Sequence, residues 1–272
     1  MASAVEWMGE HALMLWPLLI LAGVLGADLA WQRQRLWQRE RDSEGRHRSA
    51  LRRHAAVWLM LCLLALFAGV AAAANATPPG ELPRFDMALA QSLHDDVPLP
   101  ALRVIAVLTH LGSTLVIAPA AVLVLLFLLL RRQWRQAIAW TLALGGLMPV
   151  NDGLKLLFQR ERPLHDHGFL TEPGWSFPSG HAFGSMVFYG MLAYVLLCQL
   201  PPRFHRGVIV ATAVMIGMVG SSRILLQVHY FSDVLAGYAA GAAWLLLCIG
   251  VAEYGPQDKH HLSAAITPRP SP

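Results

Sequence analysis

Seven apolar stretches, near 12–30, 55–74, 113–130, 136–154, 181–200, 207–222 and 233–252, constrain this chain more than any other feature. A helix needs about 20 apolar residues to cross about 30 Å of hydrocarbon, and each stretch reaches or approaches that length. With 56% hydrophobic against 14% charged residues and a mean hydropathy of +0.47, there is too little polar side chain to cover a water-soluble surface. The chain therefore reads as an all-α, polytopic membrane bundle. The charges fall in short blocks between apolar runs, so the basic pI near 9.3 calls for a membrane explanation and no nucleic-acid partner is expected. Cys62, Cys198 and Cys248 lie inside apolar runs without metal-ligand spacing, which argues against a disulfide framework or a thiolate site.

Loops rich in arginine stay cytoplasmic. The segment 31–54 holds eight arginines, and placing it inside also brings Arg131, Arg132, Arg135, Arg203, Arg206, Lys259 and Arg269 to the same side. Six basic residues remain outside: Arg84, Arg103, Lys155, Arg160, Arg162 and Arg223. The amino terminus is then external and the carboxyl terminus internal. In the external stretch 75–112, the prolines of NATPPGELP mark a loop, and the spacing of Phe85, Met87, Leu89 and Leu93 predicts a short amphipathic helix in the interface. The segment after Glu253 reads as a disordered tail.

Three external blocks carry polar residues that crossing a bilayer does not require. In KLLFQRERP, Pro163 ends the helix that carries Lys155 near Arg162. In PSGH, Ser179 is a helix N-cap, and the N–H groups from Gly180 onward form an anion cradle beside His181. In SSRILLQVHYFSD, His229 and Asp233 share a face at i and i+4 if the segment is helical, so the carboxylate can hold one imidazole nitrogen and leave the other as a nucleophile. Taken singly, each has a plainer reading: snorkelling cations, an ordinary cap, a solvent-exposed histidine, an aspartate favoured at a helix start. Together, on one side and at one depth, three cations and a donor-rich helix end describe a pocket for a dianion.

The blocks Lys155-x6-Arg162-Pro163, Pro178-Ser179-Gly180-His181 and Ser222-Arg223-x5-His229-x3-Asp233 resemble the three-part signature of the type 2 phosphatidic acid phosphatase superfamily. The resemblance spans about residues 55–252. It implies a core of six transmembrane helices, to which the N-terminal helix and arginine-rich loop of residues 1–54 are added, with 253–272 as a cytoplasmic tail. It also implies metal-independent, cofactor-free hydrolysis of lipid phosphates. Residue by residue, it implies His229 as nucleophile, Asp233 as its orienting partner and His181 as general acid. Lys155, Arg162, Ser179, Gly180 and Arg223 would then bind the phosphoryl group. Undecaprenyl diphosphate, phosphatidylglycerol phosphate and phosphatidate are all compatible substrates, and the expected setting is a bacterial inner membrane with the site on the periplasmic side. Lipid phosphotransfer, a vanadium haloperoxidase and a non-enzymatic transporter or scaffold are the competing readings. Asp152, Glu161, Asp166 and Glu172 form no paired-carboxylate metal motif, and Asp152 is placed to pair with Lys155. Arg160 is divided between a fourth pocket charge and a headgroup contact, and His165 and His167 between an exposed loop and a gate.

Overall fold

The computed structural model describes residues 2–43, 48–163 and 172–254, and among these every regular element is helical. In chain order they are α1 (Ala2–Glu10), α2 (Ala12–Ser43), α3 (Arg48–Ala74), α4 (Glu81–Asp96), α5 (Leu99–Thr109), α6 (Thr114–Leu130), α7 (Trp134–Gly145), α8 (Leu147–Phe158), α9 (Gly180–Gln199), α10 (His205–Leu225) and α11 (Phe231–Tyr254). A 3-10 turn, His110–Gly112, joins α5 to α6. Among the described residues, six continuous spans are long and apolar enough to cross a bilayer: 12–33, 54–74, 99–130, 180–199, 202–225 and 231–253.

The structure redraws three boundaries expected from the sequence. The third crossing starts fourteen residues early, at Leu99, because α5 continues through the 3-10 turn into α6. The expected crossing at 136–154 is broken into α7 and α8. Pro149 has no N–H to give to Gly145, and Trp244 of α11 fills the space where Gly146 lacks a Cβ, its ring 2.2 Å from that position. The Trp244 indole N–H donates to the Ala143 carbonyl at 3.1 Å beside the break. Finally, the arginine-rich segment expected to be a loop is largely helix, since α2 runs to Ser43 and α3 begins at Arg48. The tail expected to be disordered lies outside the described residues from Gly255 on.

α9 is the central element. Half of its apolar window is buried by protein, against 11% for the windows of α2, α3 and α5–α6, whose Leu, Val and Trp side chains face outward as a lipid-exposed protein requires. α9 and α11 meet through Gly237 and Gly241, a small-xxx-small pair that lets backbones touch. A Cβ on Gly237 would come within 2.7 Å of the Ser179 carbonyl oxygen, and one on Gly241 within 2.9 Å of that of Phe183. We expect Gly237→Val to push the start of α9 away from α11. That change should reduce turnover more than tenfold and lower the unfolding temperature in detergent, whereas normal activity would show that this close approach is dispensable.

α2 lies along α10. Arg206 grips the Asp28 carboxylate through Nε at 2.7 Å and Nη2 at 2.8 Å, and Trp16 donates to Ser221 Oγ at 2.5 Å. At the same end as Trp16, α1 packs on α4, where Ser92 Oγ donates to the Val5 carbonyl at 3.3 Å. At the opposite end, Gln199 of α9 bonds Gln133 and Gln136 beside Arg131, Arg132 and Arg135. The end of α8, the start of α9, the end of α10 and the start of α11 gather away from those arginines. α7 and α8 together therefore traverse the bundle.

Candidate active site

The site is built where four helix ends meet. Ser179 caps α9, its fully buried Oγ accepting from the Ala182 N–H at 3.5 Å, while its own N–H donates to the Asp233 carbonyl at 3.0 Å. That bond ties the start of α9 to the start of α11, so Gly180 and His181 follow with helix N–H groups directed at the same cavity. A Cβ on Gly112 would meet Val219 at 2.3 Å and His181 Cδ2 at 3.2 Å, so the 3-10 turn packs directly on the imidazole of His181.

His229 sits in the short connection between α10 and α11, 3% exposed. Its Nδ1 faces Ser176 Oγ at 3.3 Å and Asp233 Oδ2 at 3.5 Å, and its Nε2 accepts from Arg162 Nη1 at 3.2 Å. Because a guanidinium only donates, the network assigns the proton to Nδ1 and the lone pair to Nε2. Ser176 donates to Asp233 Oδ2 at 2.5 Å, so serine and aspartate together hold the ring. Burial pushes the His229 imidazole down to about 4 against the pull of Asp233, which leaves it neutral in the resting protein.

The cations divide into two sets. Arg223 is fully buried, donating through Nη1 to Thr109 Oγ1 at 3.1 Å and through Nη2 to Glu172 Oε1 at 2.5 Å, with Nε unpartnered. Lys155, half-buried at the end of α8, shares its surroundings with the charges of Arg162, Glu172, Arg223 and Asp152, and His181 with those of Arg223, Glu172, His229 and Lys155. Arg162 is anchored by backbone: Nε donates to Gly174, Nη1 to Val228 and Nη2 to Pro173 and Trp175, which leaves the Nη1 proton that points at His229. Lys155, Arg162, Arg223, His181 and His229, from three separate blocks of sequence, are thus gathered close enough for their charges to act on one another, next to Ser179 and Gly180 at the start of α9. Burial alone would raise the Glu172 carboxyl, but Arg223, then His181 and Arg162, overcome it and hold the group below the ordinary carboxylate range.

Arg160 forms the second set and takes neither of its expected roles. Nη1 donates to Asp233 Oδ1 and Ser232 Oγ, each at 2.7 Å, and Nη2 donates to Asp86 Oδ2 at 2.8 Å, while the guanidinium lies 4.4 Å from the Tyr230 ring centroid. Asp86, on α4, also accepts from the Ser232 N–H at 3.1 Å and from the Ser232 hydroxyl. Burial pulls the Arg160 guanidinium down, but Asp233 and Asp86 overcome this and raise it, so it stays charged. The sequence reading missed Asp86, Ser176, Thr109 and the contact of Glu172 with Arg223. Its only pointer was the Phe85–Asp86 pair in the interfacial helix. Asp152 is exposed, and His165, Asp166 and His167 lie outside the described residues. Among the described residues, no three His, Cys, Asp or Glu side chains converge as a metal site.

Comparison with known proteins places this geometry. Residues 134–255, from α7 through the end of α11, match the PAP2 superfamily. The chain is 32% identical over 149 residues to phosphatidylglycerophosphatase B of Bacillus subtilis, covering 54% of this chain and 72% of that protein. It is 33% identical over 117 residues to a lipid A 1-phosphatase of Rhizobium johnstonii, covering 40% of this chain and 43% of the other. A crystal structure of a transmembrane PAP2-type phosphatidylglycerolphosphate phosphatase from Bacillus subtilis superposes with a TM-score of 0.67 at 26% identity, over 74% of this chain and 98% of that one. A membrane bundle, helical throughout its described elements, that matches phosphatidylglycerophosphatase B in sequence over 72% of that protein and the solved PAP2-type phosphatase in fold over 98% of it belongs to the PAP2 superfamily and is a phosphatase.

Proposed function

We propose that the protein hydrolyses the phosphomonoester or diphosphate end of a membrane lipid through a phosphohistidine on His229. The observation that carries this is the division of labour on the imidazole: Nδ1 is held by Asp233 and Ser176, while Nε2 faces the cation Arg162, whose N–H it accepts at rest and which a phosphoryl oxygen would draw away. Phosphoryl transfer demands positioning and charge neutralisation, which a set of fixed cations supplies without reorganisation. In the first step Nε2 bonds to phosphorus while the bond to the leaving oxygen breaks, and that oxygen takes a proton from His181, which a bound dianion helps to keep protonated. In the second step neutral His181 takes a proton from water, whose oxygen attacks phosphorus, and the N–P bond breaks to return the electron pair to His229.

Within that class, phosphatidylglycerol phosphate, phosphatidate and undecaprenyl diphosphate are candidate substrates, and the relatives named for phosphatidylglycerophosphate and lipid A support a lipid phosphate. The apolar spans around the site suit a substrate whose chains remain in the bilayer. The distribution of arginines supports a periplasmic site in a bacterial inner membrane. The catalytic core is residues 55–252, with 1–54 an added element and 253–272 a tail. The near-complete coverage of the solved relative by 74% of this chain supports that division. The test is phosphate release from a panel of lipid phosphates in detergent with EDTA present. Turnover of at least one is expected to survive chelation; loss of activity with EDTA, or none on any lipid phosphate, would contradict the scheme.

A further inference from the structure

The anion cavity already holds an anion. Glu172 Oε1 lies 2.5 Å from Arg223 Nη2, and its carboxylate also acts on Arg162, His181 and Lys155. Those are the groups that a phosphoryl oxygen must reach if His229 is to attack its phosphorus. Carboxylate and substrate compete for the Arg223 guanidinium, the donor that Glu172 bonds directly.

Two features separate this contact from an ordinary structural ion pair. Asp86 and Asp233 have side chains of 0% exposure and are each held by several donors, whereas the Glu172 side chain is 28% exposed and bonds Arg223 at one oxygen. Moreover, Arg223 is not satisfied by the contact: its buried Nε–H has no acceptor among the described residues. An unpaired buried N–H is unfavourable, so the resting contact leaves the guanidinium short of an acceptor, which a group with more oxygens than one carboxylate edge can supply. A terminal phosphoryl group has three.

The charge balance gives the exchange a purpose. The bilayer around the site consists of phospholipids, most of whose phosphates are diesters carrying one negative charge. An empty pocket of three cations would take up such headgroups, which vastly outnumber the substrate. With a carboxylate already in place, a monoanionic diester replaces one single charge by another and gains little. A monoester dianion or a terminal diphosphate brings greater charge and more oxygens, and displaces the carboxylate with a net gain. Resting on the phosphatase reading above, we infer that Glu172 is a displaceable counter-ion that makes the site selective for terminal phosphoryl groups over the phosphodiesters of the surrounding membrane.

Binding rather than turnover tests this. The full chain in a neutral detergent is titrated calorimetrically with inorganic phosphate at pH 8 and, separately, with dimethyl phosphate, a soluble monoanionic diester. The wild type is expected to bind phosphate and to reject dimethyl phosphate. Glu172→Gln should bind phosphate about tenfold more tightly, gain measurable affinity for the diester, and so show at least a tenfold smaller preference between them. Glu172→Ala should do the same, whereas Glu81→Gln, which removes an exposed charge elsewhere, should resemble wild type. Unchanged preference in both Glu172 variants, failure of phosphate to bind any of the proteins, or collapse of the fold in both variants would overturn the inference, the last by showing the carboxylate to be structural. Normal binding behaviour without hydrolysis of any lipid phosphate would instead count against the proposed reaction and leave the exchange standing.

Discussion

Replacing the proposed nucleophile, His229→Ala, is expected to lower kcat by about 10⁴–10⁶-fold, the range seen when a covalent nucleophile is removed while the remaining electrostatic stabilisation stays. Among the described residues around it, Ser176 donates its proton to Asp233, and His181 is the proposed general acid. Acid quenching with a labelled phosphomonoester should leave label on the wild type and none on His229→Ala. His181→Ala should behave differently with a substrate such as p-nitrophenyl phosphate, whose leaving group needs no proton. Formation of the phospho-enzyme should persist while its hydrolysis slows, so label should accumulate. Label on His229→Ala, or none on His181→Ala, would show that the two histidines are misassigned. The sign of the pH dependence follows from burial. With its imidazole held near 4, His229 is neutral and competent above that value and loses activity as pH falls through it, so an acid limb nearer 6.5 belongs to the substrate's phosphate or to another group.

What the sequence shows directly rests on short-range patterns: apolar runs mark the crossings, and a serine ahead of Gly180 marks the start of α9. His229 does meet Asp233, but from the non-helical connection before α11 and not from a shared helical face as the i, i+4 spacing suggested. What could not be read is which way a cation points once its helix has ended. Gln159 takes a left-handed conformation, φ 46°, that terminates α8, and the non-helical residues after it direct Arg160 and Arg162 to different partners. Arg160 turns to Asp86 and Asp233, Arg162 to Val228 and the 173–175 backbone. The two arginines look equivalent in RER, and only the tertiary position of Asp86, brought in on α4, separates them. The split of the fourth crossing was similarly hidden, since Gly145, Gly146 and Pro149 are tolerable in a membrane helix until Trp244 is seen to fill the gap. Gly237 and Gly241 drew no attention in the sequence, because what makes them necessary is the approach of α9, which only the fold shows.

The second large effect concerns that hidden pairing. In Arg160→Met, Asp86 and Asp233 keep their hydroxyl and N–H donors but lose the one cation that lies between them, and both carboxylates have no exposure through which water could compensate. Breaking a buried pair by removing one partner is destabilising by about 3–5 kcal/mol. The variant should therefore unfold at a markedly lower temperature in detergent. It should also turn over slowly, because the carboxylate that orients His229 loses its own anchor. Asp86→Asn removes one of the two competing charges, and so should be milder. If the three groups act as one network, the double variant Arg160→Met with Asp86→Asn will be less destabilised than the sum of the single changes by about 1–3 kcal/mol, since deleting the second charge removes part of the penalty created by the first. Activity should not follow, for Asp233 remains without its guanidinium. Recovery of stability with turnover still low separates a residue that positions the nucleophile's partner from one that merely holds α4 to α11; additive losses of stability would mean that Asp86 and Arg160 are uncoupled despite their contact at 2.8 Å.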